Sequence, residues 1–148
     1  VNEQQEEVKA NTLNRVIARS IDILIVVTLF ETLSRAGYFG GLLYILIADG
    51  LFNGRSVGKW LIGLKVILID TKRPCTYKES IIRNFPFAIG YIFFGLLKGI
   101  PLIGWLFAVV IPVVILGVEV LIMLGNEKGM RFGDEVAKTR VIEAGIGG

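Results

Sequence analysis

The chain has 148 residues, 53% of them apolar and 20% charged, with a formal net charge of +3. Soluble domains average about 45–50% apolar and about 25% charged; here the apolar excess is gathered into blocks, which argues for an integral membrane protein over a soluble enzyme. The sequence contains no His, which excludes a His-ligated metal, a Ser-His-Asp triad and an imidazole switch, and its one cysteine, Cys75, excludes an intrachain disulfide or a cysteine cluster.

Residues 1–14 are polar and mixed in charge and read as a cytoplasmic tail. They lack the basic region and small-residue cleavage site of a secretory signal, so the apolar block that follows is expected to be retained. Four apolar blocks follow, read as helices over about 16–34, 38–53, 83–97 and 100–125. Crossing the hydrocarbon core takes about 20 residues. The first and fourth blocks meet that length, whereas the second and third must thin the bilayer or recruit flanking residues. Asn53, Gly54 and Arg55 end the second block. Lys98, Gly99 and Pro101 mark a turn between the last two, although one bent apolar hairpin is an alternative. Residues 144–148 read as a flexible tail.

The basic residues orient the chain. With the N-terminus in the cytoplasm, only Arg35 and Lys98 of the 16 Lys and Arg fall on the far side. That is a strong positive-inside bias over short loops. Both termini are then cytoplasmic and Cys75 lies in a reducing compartment.

The loop after the second block and the tail after the fourth echo each other at an offset of 75 positions. Gly58 matches Gly133, Leu61 matches Val136, Lys65 matches Arg140, and Val66-Ile67 match Val141-Ile142. Two hairpins, each followed by one such unit, are the pattern of a parallel duplication, against a null of coincidence in a biased composition. Each unit reads as an interfacial helical turn, with Trp60 and Leu61 in the headgroup layer, followed by a β-branched strand. The strands 64–69 and 139–143 are expected to pair, since a lone strand there would leave backbone groups unsatisfied. Lys59 and Asp134 thereby take equivalent positions with opposite charge. Gly54, Gly58, Gly63 and Gly133 are read as turn glycines.

Charged groups inside apolar spans are costly and are functional candidates by default. Glu31 lies four residues before Arg35 and reads as an interface pair of little energetic weight. Asp22, Asp49 and Glu119 fall at a similar depth, roughly 9–13 Å inward from the nearest basic boundary at 1.5 Å per residue. Arg15, Arg19 and Asp22 share one helical stripe. Two readings stand. In the structural one, Arg15, Arg19, Arg83 and Lys59 neutralise the acids and lock the helices together. In the functional one, an acid lacking a full-time partner exchanges a proton or a small cation. Glu119 is then the first candidate for the unpaired acid, because no basic residue lies near it in its own helix, and Asp49 the second; Asp22 and Asp49 would bind the ion, with Arg15 setting their charge state, and Glu119 would exchange the proton.

The segment Arg15-Val-Ile-Ala-Arg-Ser-Ile-Asp22 resembles the opening motif of the RDD family of bacterial membrane proteins. Gly54-Arg-Ser-Val-Gly-Lys-Trp-Leu-Ile-Gly-Leu-Lys-Val66 resembles its glycine-rich central loop, and Phe132-Gly-Asp-Glu-Val-Ala-Lys-Thr-Arg-Val141 its closing motif. The resemblance runs over about Arg15–Ile142 and carries the family's Arg and two Asp onto Arg15, Asp22 and Asp134. The chain departs from the family pattern in having Ala137-Lys138 before Thr139, and in a second arginine, Arg19, that competes for the role of partner to Asp22. Transport, including monovalent cation/proton antiport, is what the resemblance implies by analogy.

Gly54-Arg-Ser-Val-Gly-Lys59 also invites comparison with a phosphate loop, but it is one residue short and Trp60 stands where Ser or Thr should be. The expectation is therefore an all-α membrane domain over 15–143, with four transmembrane helices in two hairpins and a small cytoplasmic cap of interfacial helix and paired strands. It is expected in the bacterial inner membrane as a cation/proton transport component acting as an oligomer; the alternative is an accessory or assembly subunit of a larger membrane complex. Lipid, monovalent cations, protons and other membrane subunits are the expected partners. No metal, cofactor, nucleic acid or enzymatic activity is expected.

Overall fold

The computed structural model describes residues 8–97, 99–127 and 129–145. Its elements are α1 (Thr12–Ile47), a 3-10 turn (Ala48–Gly50), α2 (Val57–Ile62), β1 (Leu64–Leu68), α3 (Tyr77–Leu97), α4 (Ile103–Gly125), α5 (Phe132–Val136) and β2 (Thr139–Glu143). Helix α1 opens on Asn11, whose side chain accepts from the Leu13 amide at 2.9 Å. That satisfies one of the amides a helix start leaves unpaired.

The two N-terminal blocks form a single helical run of 36 residues, not two separate helices. The run is not straight. A straight helix would hold Asp22 and Tyr44 about 33 Å apart, yet the Tyr44 hydroxyl donates to the Asp22 carboxylate at 2.7 Å. A Cβ at Gly41 would press on Val26, and one at Gly37 would overlap the Leu29 carbonyl. Phe30 and Tyr38 pack edge to face at 6.3 Å. The run therefore doubles back between Phe30 and Gly37 into two antiparallel arms. Glu31 and Arg35, expected to pair, lie around this reversal and form no ion pair among the described residues.

Helix α3 begins at Tyr77, six residues before the apolar pattern starts it, because its first turns carry the polar residues Glu79, Ser80, Arg83 and Asn84. It is the described helix long and apolar enough to cross a membrane by length and composition; Val113–Gly125 is a shorter apolar stretch. A turn through Gly99–Leu102 leads into α4.

The cap follows the sequence echo. α2 and α5 begin 75 positions apart, and β1 and β2 each start and end 75 positions apart. The strands pair antiparallel with Val66 opposite Val141, again 75 positions apart, and the other pairs flank that one evenly. A local two-fold axis through the Val66–Val141 pair thus relates the two units. Both units also approach a helix backbone in the same way. A Cβ at Gly58 would overlap the Ala18 carbonyl of α1, and a Cβ at Gly133 would overlap the Arg83 carbonyl of α3. Gly63 closes α2 in the left-handed region at φ 79°, where glycine carries no steric penalty.

The first and last described residues join the cap. The Ala10 amide donates to the Val141 carbonyl at 3.3 Å and the Glu143 amide to the Val8 carbonyl at 3.0 Å, extending the sheet edge. At the other end, the Ala144 amide donates to the Gly63 carbonyl at 2.8 Å, so the tail expected to be flexible from 144 is anchored at its first residue.

The interior is inverted relative to a soluble domain. The fully buried side chains include Asp49, Ser56, Ser80, Arg83, Asn84, Asp134 and Thr139 beside Leu64 and Val66. Leu24, Leu96, Leu121 and Leu124 point outward and are more than half exposed. Charged residues are the ones most rarely buried in soluble proteins. The small apolar core of Ala10, Ala18, Leu64, Val66, Cys75 and Val141 lies under the cap.

Candidate functional site

The polar interior is one ion-pair network at the end of the helices that carries the cap. Asp134, in α5, is its hub. Its carboxylate accepts from Arg15 Nη2 at 2.6 Å and Arg83 Nη2 at 2.6 Å. It also accepts from the Arg131 amide and from Arg131 Nη2, both at 3.2 Å. The contact to the Arg131 amide fixes the start of α5, since an acid there satisfies a free helix amide. Burial alone would raise the Asp134 carboxyl, but Arg131, Arg83 and Arg15 outweigh it and hold the group well below the usual carboxylate range.

Asp49, in the 3-10 turn after α1, forms the second node. It accepts from Lys59 Nζ and, at 3.1 Å, from Asn84 Nδ2. Arg83 Nε lies 3.3 Å from Oδ2, the oxygen that Asn84 also reaches, so Arg83 bridges Asp49 and Asp134. The Asp49 amide donates to Ser80 Oγ at 3.1 Å, and that hydroxyl donates to the Leu46 carbonyl at 2.7 Å. Lys59 is 5% exposed. Burial is the largest influence on it and pulls its ammonium below the ordinary value, with Asp49 opposing.

Asp22 forms the third node, and among the described residues no arginine pairs with it. It accepts from Tyr44 Oη at 2.7 Å, Ser56 Oγ at 2.6 Å and the Gly58 amide at 2.9 Å. These bonds clamp the start of α2 to α1. The sequence stripe suggested Arg15 or Arg19 as its partner. Instead Arg15 reaches across to Asp134, with a further contact to the Gly129 carbonyl, and the Arg19 guanidinium lies over the Phe87 ring at 3.9 Å. The stripe fixes the face of α1 but not the length of each reach.

Glu119 also departs from expectation. It does have a basic partner, Arg131 Nη1 at 3.2 Å, delivered by the chain after α4 rather than by α4 itself. Arg131, Tyr44, Ser56, Ser80 and Asn84 were not legible as site residues. Ser80, Arg83 and Asn84 share a helix face at i, i+3 and i+4, and Arg131 stands three before Asp134; those spacings were the available signals. Among the described residues, no group of acids or Cys could hold a metal ion.

A comparison with protein-family models matches the one described as the RDD family over residues 33–138. No curated protein and no solved structure matches the chain.

Proposed function

The chain belongs to the RDD family, and from that premise we propose that it is a multi-pass protein of the bacterial inner membrane that exchanges a monovalent cation for a proton, working as an oligomer. In this reading the two arms of α1, α3 and α4 span the bilayer, and both termini and the cap lie in the cytoplasm. The inverted interior supports it: ionic groups inside, leucines outside, as lipid requires. The positive-inside bias supports the orientation.

The observation that carries the exchange is the buried Lys59–Asp49 pair. Arg15, Arg19, Arg83 and Arg131 keep their protons in any such setting. Lysine is the buried base here that can give its proton up. The cluster of Arg15, Arg19, Lys59, Arg83 and Arg131 already exceeds Asp22, Asp49, Glu119 and Asp134 by one positive charge. An added cation is therefore repelled unless a positive charge leaves. A cation entering on Asp49 displaces the Lys59 ammonium, which releases one proton and becomes the neutral amine. The total charge is unchanged, so cation entry and proton exit are coupled. Glu119, held by Arg131, and Asp22, saturated by three donors, are less suited to this role. The small enclosed volume of one chain is the reason to invoke an oligomer.

The test is reconstitution into liposomes with a pH-sensitive dye under imposed sodium or potassium gradients. Wild type is expected to move protons against the cation, while Asp49→Asn and Lys59→Met abolish the flux and Glu119→Gln retains it. Undiminished flux in Lys59→Met refutes the exchange pair. The alternative, an accessory or assembly subunit, is favoured by one feature: each of the four buried acids is fully engaged, as in a lock. No flux in wild type, together with a partner co-purifying at fixed stoichiometry, selects it.

A further inference from the structure

Among the described residues Arg19 is the member of the cluster with no ion pair of its own, although Asp49, Glu119 and Asp22 attract it from farther off. Arg15, Arg83 and Arg131 sit on Asp134, and Lys59 sits on Asp49. Among the described residues Arg19 has no carboxylate partner, and its Nε is buried without an acceptor. Its guanidinium rests on Phe87, a contact that orients a cation but does not neutralise it.

Arg19 also stands where two cavities meet. Toward the cap is a small chamber of about 30 Å³, where Arg15, Lys59, Glu119 and Arg131 meet apolar side chains such as Leu116 and Met123. Away from the cap is a cavity of about 190 Å³ between the arms of α1 and helices α3 and α4, walled by Ile23, Val26, Phe94, Ile111 and Ile115. The larger space is apolar apart from Arg19, two tyrosines and Asp22, whose carboxylate already accepts from Tyr44, Ser56 and the Gly58 amide. A cavity with such walls is poor at holding water and suited to hydrocarbon. Tyr91 lines it and has a buried hydroxyl with no hydrogen-bond partner among the described residues. A cation without an ion pair among the described residues at one end and an apolar slot behind it are complementary to an anion that carries a chain.

We propose that this cavity binds a long-chain fatty acid, its carboxylate on Arg19 and the first part of its acyl chain between α1, α3 and α4. A carboxylate matches the planar guanidinium fork with two parallel hydrogen bonds. The chamber beside Arg19, about 30 Å³, suits a headgroup as small as a carboxylate. The bound anion cancels the extra positive charge of the cluster, so its binding is favoured by the same imbalance that repels an added cation. This inference does not depend on ion exchange, and its test involves no flux.

The full chain in phosphatidylcholine nanodiscs is titrated with cis-parinaric acid, a fluorescent fatty acid, and energy transfer from tryptophan is read against empty discs. Saturable transfer is expected, displaced by oleate but not by oleyl alcohol or by phosphatidylglycerol in the disc. Arg19→Gln is expected to weaken binding by about 10-fold or more, the loss of a hydrogen-bonded charge, with Arg19→Lys restoring part of it. Ile115→Trp, which fills the cavity, is expected to remove the saturable component while Arg19 is intact. Arg19 leaves no carboxylate stranded when it is neutralised, and the competition among oleate, oleyl alcohol and phosphatidylglycerol uses wild type alone, so misfolding of a variant does not shelter the idea. Equal displacement by oleate and oleyl alcohol, preferential displacement by phosphatidylglycerol, or unchanged affinity in a folded Arg19→Gln protein overturns it.

Discussion

Replacing Asp134 with Asn probes the hub of the network with the smallest change of shape. The carboxylate takes hydrogen bonds from Arg15 and Arg83 at 2.6 Å and from Arg131 at 3.2 Å, and its side chain has no solvent exposure. The amide keeps the volume but removes the charge and turns an N–H pair toward guanidinium groups. The excess of positive charge in the cluster then rises from one to two. Breaking a buried pair by removing one partner costs about 3–5 kcal/mol; with three cations dependent on one acid, that range is a lower bound. It is comparable to the whole stability of many domains, about 5–15 kcal/mol. At about 2–4 °C per kcal/mol for a chain of this size, the midpoint should fall by roughly 6–20 °C. The assay is thermal unfolding of the detergent-solubilised protein followed by tryptophan emission. Arg15→Gln added to Asp134→Asn should cost less than the sum of the two single changes, because the second removes a charge already stranded. A shift within 1 °C of wild type, or strict additivity, would refute the account of Asp134 as the hub.

Three further outcomes follow from the geometry. The Asp134 carboxyl is depressed in the folded chain, so it contributes stability in full above its unfolded value of about 3.9. That contribution is lost as pH falls through the lower folded value, so unfolding should steepen below about pH 4 and the Asp134→Asn protein should lack that part of the slope; identical acid profiles would contradict this. Burial pushes the Cys75 thiol up to about 12, so iodoacetamide at pH 8 should leave it unmodified until the chain is unfolded, and prompt native labelling would place the thiol elsewhere. Ala at Gly58 or Gly133 would drive a methyl into the Ala18 or Arg83 carbonyl, at about 1–3 kcal/mol each. Gly117→Ala, with open space around it, should be neutral or stabilising by about 0.5–1 kcal/mol, and equal effects at all three positions would argue against the close approach of the cap.

Much of the architecture is written locally. The glycine-rich loop 54–66 lies within the residues that match the family, 33–138, whereas the motif around Arg15 and Asp22 lies before them. The echo between Gly58–Ile67 and Gly133–Ile142 foretells two equivalent units, and β-branched runs at the same offset foretell the strand pair centred on Val66 and Val141. Such features depend on neighbours along the chain, so spacing and composition determine them. The depth of Asp22, Asp49 and Glu119 is likewise readable, because each residue adds about 1.5 Å along a helix axis.

Tertiary structure alone decided which charge meets which. Arg15 and Asp22 share a face of α1, yet one reaches Asp134 and the other holds the start of α2. Glu119 finds Arg131 only because the chain after α4 turns back toward α3. Arg19 is left over because the acids nearest to it are already taken. Helical spacing gives height and face, but the azimuth of one helix against another is set by packing across the bundle. At interior dielectric values a difference of 1–2 Å in reach changes an ion pair by several kcal/mol, so the partners follow from the folded arrangement and not from the order of residues.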